Sequence, residues 1–296
     1  RPYGGVVSLE VGPDGDGAAL AARVQSCDLP NARVRSGAGR LLITREGALP
    51  GSADWSHQYG DVGNTIKSDD QRVKLPLGLL WFGGTSNADV LPRHGHGPPE
   101  QVVGGRLFIQ GIDSFSARDV YTGRLLWKRD IPDVGTFGVY YDQTYKDTPL
   151  STAYNQVHIP GANARGTNFV VTPDRIYIAQ TVDCLVLDPV TGASLGRIAL
   201  PELPDDDGPP RWGYIGVSDR YLIAGSGAVD YKSHLEVPGG KRTRFYDLDI
   251  ASSRRLVVMD RYTGEPLWSR RSELGFRHNA IVAGDGRLFC IDVLPD

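Results

Sequence analysis

One short motif occurs three times in this sequence. The copies are ARDVYTGRLLW (117–127), VLDPVTGASLG (186–196) and VMDRYTGEPLW (258–268), each with Asp-x-x-Thr-Gly between residues that favour β-strands. The Asp side chain can accept hydrogen bonds from the amides of the turn, and Gly readily adopts the positive φ that closes a short loop. Each copy therefore predicts a β-hairpin. The residues that define the repeat are Asp119, Gly123, Trp127, Asp188, Gly192, Asp260, Gly264 and Trp268.

A second pattern surrounds these hairpins. Four segments combine an apolar pair, a polar turn with an Arg, and a further apolar run: VVGGRLFI (102–109), VVTPDRIYI (170–178), IGVSDRYLI (215–223) and IVAGDGRLFCI (281–291). Their Arg residues are spaced by about 45 to 70 positions, whereas one propeller blade takes about 40–50 residues. We therefore predict a mainly β chain, an incomplete β-propeller of four-stranded antiparallel blades with insertions at 134–165 and 229–249.

Residues 1–50 follow a different pattern. Alternating apolar residues at 6–11 predict a strand, the Ala-rich stretch 18–27 has helical spacing, and short strands are predicted around 32–35 and 41–45. This order is that of the closing part of a Rossmann-like sheet. We therefore predict two domains, 1–50 and 51–296, joined by a linker at 48–52. Because the chain begins at Arg1 and stops just after a new strand pair, we expect it to be an internal fragment whose propeller is truncated.

Charge and composition exclude several classes of function. A net charge of −3 over 296 residues provides no electrostatic footprint for nucleic acid or an anionic membrane. No apolar run approaches the roughly 20 residues that span a bilayer. The cysteines, Cys27, Cys184 and Cys290, are far apart and odd in number, so they predict neither a metal site nor a disulfide framework.

The repeats resemble a known family. Ala117, Asp119, Thr122, Gly123 and Trp127 match the AxDxxTGxxxW signature of the pyrroloquinoline-quinone (PQQ) repeat of quinoprotein dehydrogenases and their relatives. The third copy matches at its Asp, Thr, Gly and Trp, while the second has Gly in place of the Trp. The stretch 53–61 is similar to the DW…GD opening of such propellers, and 79–81 to the end of an outer strand. The resemblance implies a Trp packed between blades and a periplasmic or extracytoplasmic location.

The resemblance also implies PQQ with Ca²⁺ as the cofactor of the enzymes in the family. Those dehydrogenases have adjacent cysteines beneath the quinone, and no two cysteines are adjacent here. Nor does any residue align with their Ca²⁺ ligands or their catalytic Asp. We therefore expect a binding or scaffold module for a polar small molecule, a carbohydrate or a protein partner. A PQQ-dependent dehydrogenase remains the alternative.

A further alternative comes from the turn at the start of the chain. Arg1-Pro2-Tyr3-Gly4-Gly5 resembles the turn that opens the fifth strand of class I S-adenosylmethionine-dependent methyltransferases. The glycine-rich cofactor loop of that family is absent here. On this reading the propeller is an accessory to an active site that lies upstream. The other reading is an N-terminal decoration with no methyltransferase ancestry.

The first strand of each blade starts near the propeller axis, so residues just before it should converge on one mouth of the channel. His, Arg, Asn and Trp side chains at these places predict a pocket for an anionic or polyhydroxylated ligand. The candidates are His94, His96, Arg165, Asn168, Trp212, His278 and Asn279. The pair His94-x-His96 has the spacing of metal ligands, with His158 or His278 as a third. Histidines that cap turns explain it better, so no metal site is predicted.

Overall fold

The computed structural model describes residues 3–12, 15–84, 89–90, 99–111, 113–132, 134, 167–203, 209–230 and 248–292. In this part of the chain the dominant elements are antiparallel β-strands. No helix in it is both long and apolar enough to cross a membrane.

The N-terminal unit is a three-stranded sheet with one helix. Its elements are β1 (Gly5–Glu10), α1 (Gly17–Ser26), β2 (Ala32–Gly37) and β3 (Arg40–Arg45), and β3 lies between the other two strands and antiparallel to both. Asp16 begins the helix because its carboxylate accepts hydrogen bonds from the amides of Ala18 and Ala19, at 2.9 and 3.0 Å. Leu41 on β3 is fully buried. The strand–helix–strand–strand order is the one expected for this segment.

Three four-stranded sheets follow, and in each the strands pair in chain order. Blade 1 contains β4 (Gln101–Val103), β5 (Arg106–Gln110), β6 (Ser114–Asp119) and β7 (Leu125–Asp130). Blade 2 contains β8 (Phe169–Val171), β9 (Ile176–Ala179), β10 (Asp183–Leu187) and β11 (Ser194–Ala199). Blade 3 contains β12 (Trp212–Ser218), β13 (Tyr221–Asp230), β14 (Leu248–Asp260) and β15 (Pro266–Arg277). The pair β16 (Val282–Gly284) and β17 (Arg287–Phe289) begins a further sheet.

Neighbouring sheets pack face to face through shared apolar cores. The core between blades 1 and 2 includes Phe108, Phe115 and Phe169, and the rings of Phe115 and Phe169 meet edge to face with centroids 4.9 Å apart. A second core joins blade 2 to blade 3, and a third joins blade 3 to β16. Each fully buried aromatic or aliphatic side chain contributes about 1.5–3 kcal/mol. Consecutive meander sheets stacked in this way form an incomplete β-propeller, as predicted.

The Asp-x-x-Thr-Gly motifs form the hairpin turns between the third and fourth strands. In each turn one Asp oxygen accepts hydrogen bonds from the amides two and three residues later. Asp119, for example, accepts from Tyr121 and Thr122, both at 3.0 Å. The Gly of each turn has a left-handed φ, +68° at Gly123, +72° at Gly192 and +77° at Gly264.

Two of these turns are covered by an indole ring from the preceding segment of chain. Trp81 lies over Gly123 and donates its Nε1–H to the carbonyl of Val120 at 2.9 Å. Trp127 lies over Gly192 in the same way and donates to the carbonyl of Pro189 at 3.2 Å. Glycine is needed here for a second reason besides its φ, because a Cβ atom would collide with the ring.

The third turn is covered differently, because the second motif has Gly196 where the others have Trp. Ile198 takes the place of the ring, and a Cβ on Gly264 would lie 3.1 Å from its side chain. The missing Nε1–H is replaced by the Tyr177 hydroxyl, which donates to the carbonyl of Arg261 at 3.1 Å. Packing and hydrogen bond are thus both retained, supplied by two residues from different strands.

We predict that Tyr177→Phe lowers the free energy of unfolding by about 1–2 kcal/mol, since it leaves a buried carbonyl with one donor fewer. Tyr177 is fully buried, so the loss is not compensated by water. Tyr221→Phe is the matched control, because Tyr221 is 43% exposed. Urea denaturation measures the loss in the free energy of unfolding for both variants. Equal losses would contradict the conclusion that the Tyr177 hydroxyl makes the hydrogen bond that an indole makes in the other two turns.

Candidate functional site

A segment before blade 1 runs along the inner edges of the blades. We call residues 53–66 the axial segment, because it bonds to the first strand of every sheet from β4 to β16. Trp55 and Val102 on β4 exchange backbone hydrogen bonds of 2.7 and 2.9 Å. The remaining contacts are Val171 N–H to the Ser56 carbonyl at 3.3 Å, Val217 N–H to His57 Nε2 at 3.1 Å, and Ala283 N–H to the Val62 carbonyl at 3.0 Å. The axial position of the propeller is therefore filled by the chain itself.

His57 fixes this segment to blade 3. Its Nε2 accepts the hydrogen bond from Val217, which places the ring proton on Nδ1, 2.8 Å from the Ser56 hydroxyl. The side chain is buried, and burial lowers the pKa of His57 to about 4, although the negative charge of Asp61 acts in opposition. The imidazole is consequently neutral at physiological pH.

The second half of the axial segment is held by side-chain bonds. The Asp61 carboxylate accepts from the Gly63 amide at 2.9 Å and from the Thr65 hydroxyl at 2.7 Å, which closes a tight loop. Asn64, at a left-handed φ of +52°, donates to the carbonyls of Asn279 and Ile281 at 3.1 and 3.3 Å. The loop thereby connects the axial segment to the beginning of the fourth sheet.

A cleft opens between the axial segment and the inner strands. Its volume of about 20 Å³ has room for roughly one water molecule. The cleft residues are His57, Gln58, Tyr59, Asn64, Thr167, Tyr214, Ile215, His278 and Asn279. None of these described residues carries a carboxylate, an ammonium or a guanidinium group. The cleft thus presents hydrogen-bonding groups from four distant parts of the sequence.

The wall opposite the axial segment is built around His278. The His278 Nε2 lies 2.7 Å from the Ser253 hydroxyl, and its ring packs near Tyr214 with centroids 6.0 Å apart. Burial raises the pKa of the Tyr214 phenol, which donates to the Ile281 carbonyl at 3.5 Å. The phenol is therefore protonated at neutral pH. Asn279 is exposed at the rim.

The structure separates the predicted ligand-binding residues into three groups. His278 and Asn279 line the cleft. Asn168 and Trp212 do not line it: the Asn168 amide donates to the carbonyls of Val134 and Ala179 at 3.0 and 3.2 Å, and Trp212 is buried in the core between blades 2 and 3. These hydrogen bonds and this packing hold the two side chains away from the predicted pocket at the mouth of the channel. The remaining candidates, His94, His96 and Arg165, lie outside the described residues.

Sequence reasoning missed the part of the site that the axial segment supplies. The resemblance of 53–61 to a propeller opening marked the segment as structural, and nothing local indicated that His57, Gln58 and Asn64 face the inner strands. Thr167 and Tyr214 were missed although they lie one or two residues from predicted positions. Thr167 lies before β8 and not on it, and the pairing register of β12 shifts between Trp212 and Ile215, so regular strand alternation from Asn168 or Trp212 does not locate either side chain.

The described residues do not fit PQQ with Ca²⁺. PQQ carries three carboxylates and Ca²⁺ takes six to eight oxygen ligands, whereas the cleft offers neutral side chains and room for about one water molecule. Within the described ranges, no three His, Cys, Asp or Glu side chains are grouped as metal ligands would be. We therefore derive no chemical step through a quinone or a metal.

No protein-family model and no curated protein sequence matches the chain. Solved structures do show similarity. They include the quinohemoprotein alcohol dehydrogenase of Comamonas testosteroni, with a TM-score of 0.45, 17% identity, and coverage of 74% of this chain and 27% of the other. A europium-containing methanol dehydrogenase has a TM-score of 0.41 and 13% identity, with 74% and 32% covered. BamB from Moraxella catarrhalis has a TM-score of 0.29 and 14% identity, with 60% and 51% covered. The chain thus spans about a third or less of the two dehydrogenases.

Proposed function

We propose that this chain is a binding propeller that holds a neutral, polyhydroxylated ligand such as a carbohydrate at its axial cleft, without catalysis in these residues. The observation that carries the proposal is the neutral lining of the cleft, with amides, hydroxyls and imidazoles side by side. Such groups both donate and accept hydrogen bonds, as sugar hydroxyls do.

The protonation states support a neutral ligand over an anion. His57 is uncharged because burial lowers its pKa to about 4, and the pKa of Tyr214 is raised, so neither contributes charge near pH 7. An anion would be desolvated in the cleft, whose lining has no ammonium or guanidinium group to offset that cost. Since the cleft holds about one water molecule, it accepts a single hydroxyl of the ligand, and the remainder rests on the rim beside Asn279.

Calorimetric titration with neutral monosaccharides and disaccharides, and with citrate as an anionic probe, tests the proposal. We expect a neutral sugar to bind and Asn279→Ala to weaken it about 3- to 10-fold, the effect of one hydrogen bond. Gln25→Ala on the exposed face of α1 is the control and should change nothing. Citrate binding in preference to every sugar, or sugar binding indifferent to Asn279, would refute the assignment.

The alternative of a PQQ-dependent dehydrogenase rests on the resemblance of the repeats to quinoproteins, which also underlies a periplasmic location. Dye-linked oxidation of alcohols and sugars after addition of PQQ and Ca²⁺ distinguishes the two. Turnover that depends on both additions would replace the binding proposal.

An accessory role beside a methyltransferase-like domain is favoured by one observation. Strand β1 is at the edge of its sheet in the described chain, yet Val6 and Val7, which point to opposite faces, are 59% and 51% exposed. Apolar residues on both faces are typical of a strand covered on both sides. Because the cofactor loop of that family is absent from this sequence, the test is S-adenosylmethionine titration of a protein that also carries the residues upstream of Arg1, and failure to bind would refute this reading.

A further inference from the structure

Two side-chain amides of the axial segment line the cleft in orientations that their own hydrogen bonds determine. The Gln58 Oε1 accepts the Thr167 N–H at 2.7 Å. The Asn64 Nδ2 donates to the carbonyls of Asn279 and Ile281 at 3.1 and 3.3 Å. Because one end of each amide is engaged in this way, the end that remains is a donor, the NH₂ group, at Gln58 and an acceptor, Oδ1, at Asn64.

These two remaining ends are available to a ligand. In the part of the chain that the structure describes, no group bonds to the Gln58 Nε2 or to the Asn64 Oδ1. His57 and Tyr214 are different, because both ring nitrogens of the first are hydrogen-bonded and the phenol of the second donates to the Ile281 carbonyl. The cleft therefore offers a ligand one fixed donor and one fixed acceptor.

The small size of the cleft decides what kind of group can use both. Its volume of about 20 Å³ has room for roughly one water molecule, so one small group meets the amides of both Gln58 and Asn64. A hydroxyl fits, since its oxygen accepts from the first amide while its proton is donated to the second. A carbonyl, an ether or a fluorine has no proton for Asn64, and an ammonium has no lone pair for Gln58.

The same size restricts which hydroxyl of a sugar can enter. A secondary hydroxyl is attached directly to the sugar ring, so the ring would have to enter the cleft with it. The primary hydroxyl of a hexopyranose stands one carbon farther out and enters while the ring remains on the rim beside the exposed Asn279. The cleft therefore favours a sugar with an exocyclic CH₂OH group.

We propose that Gln58 and Asn64 are the specificity-determining residues of the axial cleft, and that together they select the primary hydroxyl of a hexopyranose. The proposal rests on the carbohydrate function proposed above and narrows its ligand to one class of sugar. The Gln58 amide donates to the hydroxyl oxygen, and the Asn64 Oδ1 accepts the hydroxyl proton. Discrimination arises because a wrong substituent leaves one of these two groups desolvated and unpaired.

Calorimetric titration of the whole protein with methyl glycosides tests the choice of hydroxyl. The probes are methyl β-D-glucopyranoside, its 6-deoxy and 6-fluoro analogues, and methyl β-D-xylopyranoside, which lacks the exocyclic group. We expect the glucoside to bind and the other three to bind at least tenfold more weakly, because each leaves Gln58 or Asn64 unpaired. Equal or tighter binding of the 6-deoxy analogue or the xyloside overturns the choice of hydroxyl and leaves the carbohydrate function standing. Failure of every sugar to bind overturns both.

Gln58→Glu reverses one ligand contact and retains the structural one. One carboxylate oxygen still accepts the Thr167 N–H, but the other now faces the cleft as an acceptor in place of a donor. We expect this variant to bind the glucoside at least tenfold more weakly than the wild type, and to bind the 6-amino analogue, as its ammonium, more tightly. Gln25→Glu makes the same change on the exposed face of α1 and should alter neither affinity. An unchanged preference between the two sugars in Gln58→Glu would overturn the role of Gln58.

Discussion

Between pH 6.5 and pH 4 the free energy of unfolding should fall by about 3 kcal/mol because of His57 alone. Burial lowers the pKa of this side chain to about 4 in the folded protein, whereas an exposed imidazole titrates near 6.5. In that interval the unfolded state binds a proton that the folded state does not, so stability decreases as the pH falls. The stabilisation that the buried, neutral His57 provides is therefore fully present above about pH 6.5 and is lost as the pH falls towards 4.

The structural reason is the hydrogen bond from Val217. Protonated His57 has no acceptor at Nε2, so the amide of Val217 and a buried positive charge would face each other at 3.1 Å. The axial segment would then lose its contact with blade 3.

Urea denaturation at pH 7, 5.5 and 4.5 measures this dependence. His57→Gln is the control, because its side-chain carbonyl can accept from Val217 but does not titrate. Carboxylates contribute equally to both proteins, so the difference between the two curves isolates the imidazole. Parallel curves for the wild type and His57→Gln would show that His57 is not buried in the neutral form.

Replacing Gly192 with Ala should lower the free energy of unfolding by about 2–4 kcal/mol. A Cβ at this position would lie 2.7 Å from the indole of Trp127, so the ring must move away from the core between blades 1 and 2. A left-handed φ of +72° adds about 1–2 kcal/mol of backbone strain for an L-residue.

Gly286→Ala separates the two contributions. Gly286 has nearly the same φ, +69°, but nothing lies within 4 Å of the added Cβ, so only backbone strain remains. We expect this variant to lose about 1–2 kcal/mol. Thermal or urea unfolding of both variants gives the comparison. Equal losses would mean that the indole does not constrain the turn.

Local chemistry explains why much of the architecture was predictable. The turn at Asp119 is determined by a carboxylate that bonds the next amides and by a Gly with positive φ, and both depend on residues only a few positions apart. The alternation of apolar residues around each turn then specifies the strands and the face of each that is buried. The four-stranded blades and the strand–helix unit at 5–45 followed from such short-range signals.

The resemblance of the repeats to the PQQ family also implied that Trp127 packs between blades, and its ring lies against the core between blades 1 and 2. The resemblance did not reveal that Ile198 and Tyr177 together replace the Trp missing from the second motif. That replacement depends on which strands of two blades face each other, and the residues are far apart in the chain.

The candidate site was decided by the tertiary structure. Convergence of strand starts points to the axis, where His278 and Asn279 lie, but the axial segment reaches the same place from residues 53–66 and contributes His57 and Asn64. Asn168 and Trp212 precede or begin inner strands as well, yet a buried amide bonds to the nearest carbonyls and a buried indole packs into the nearest core. Hydrogen bonds across more than a hundred residues, such as that from Val217 to His57, have no local signal in the sequence, because only the closed packing of the blades brings their partners within reach.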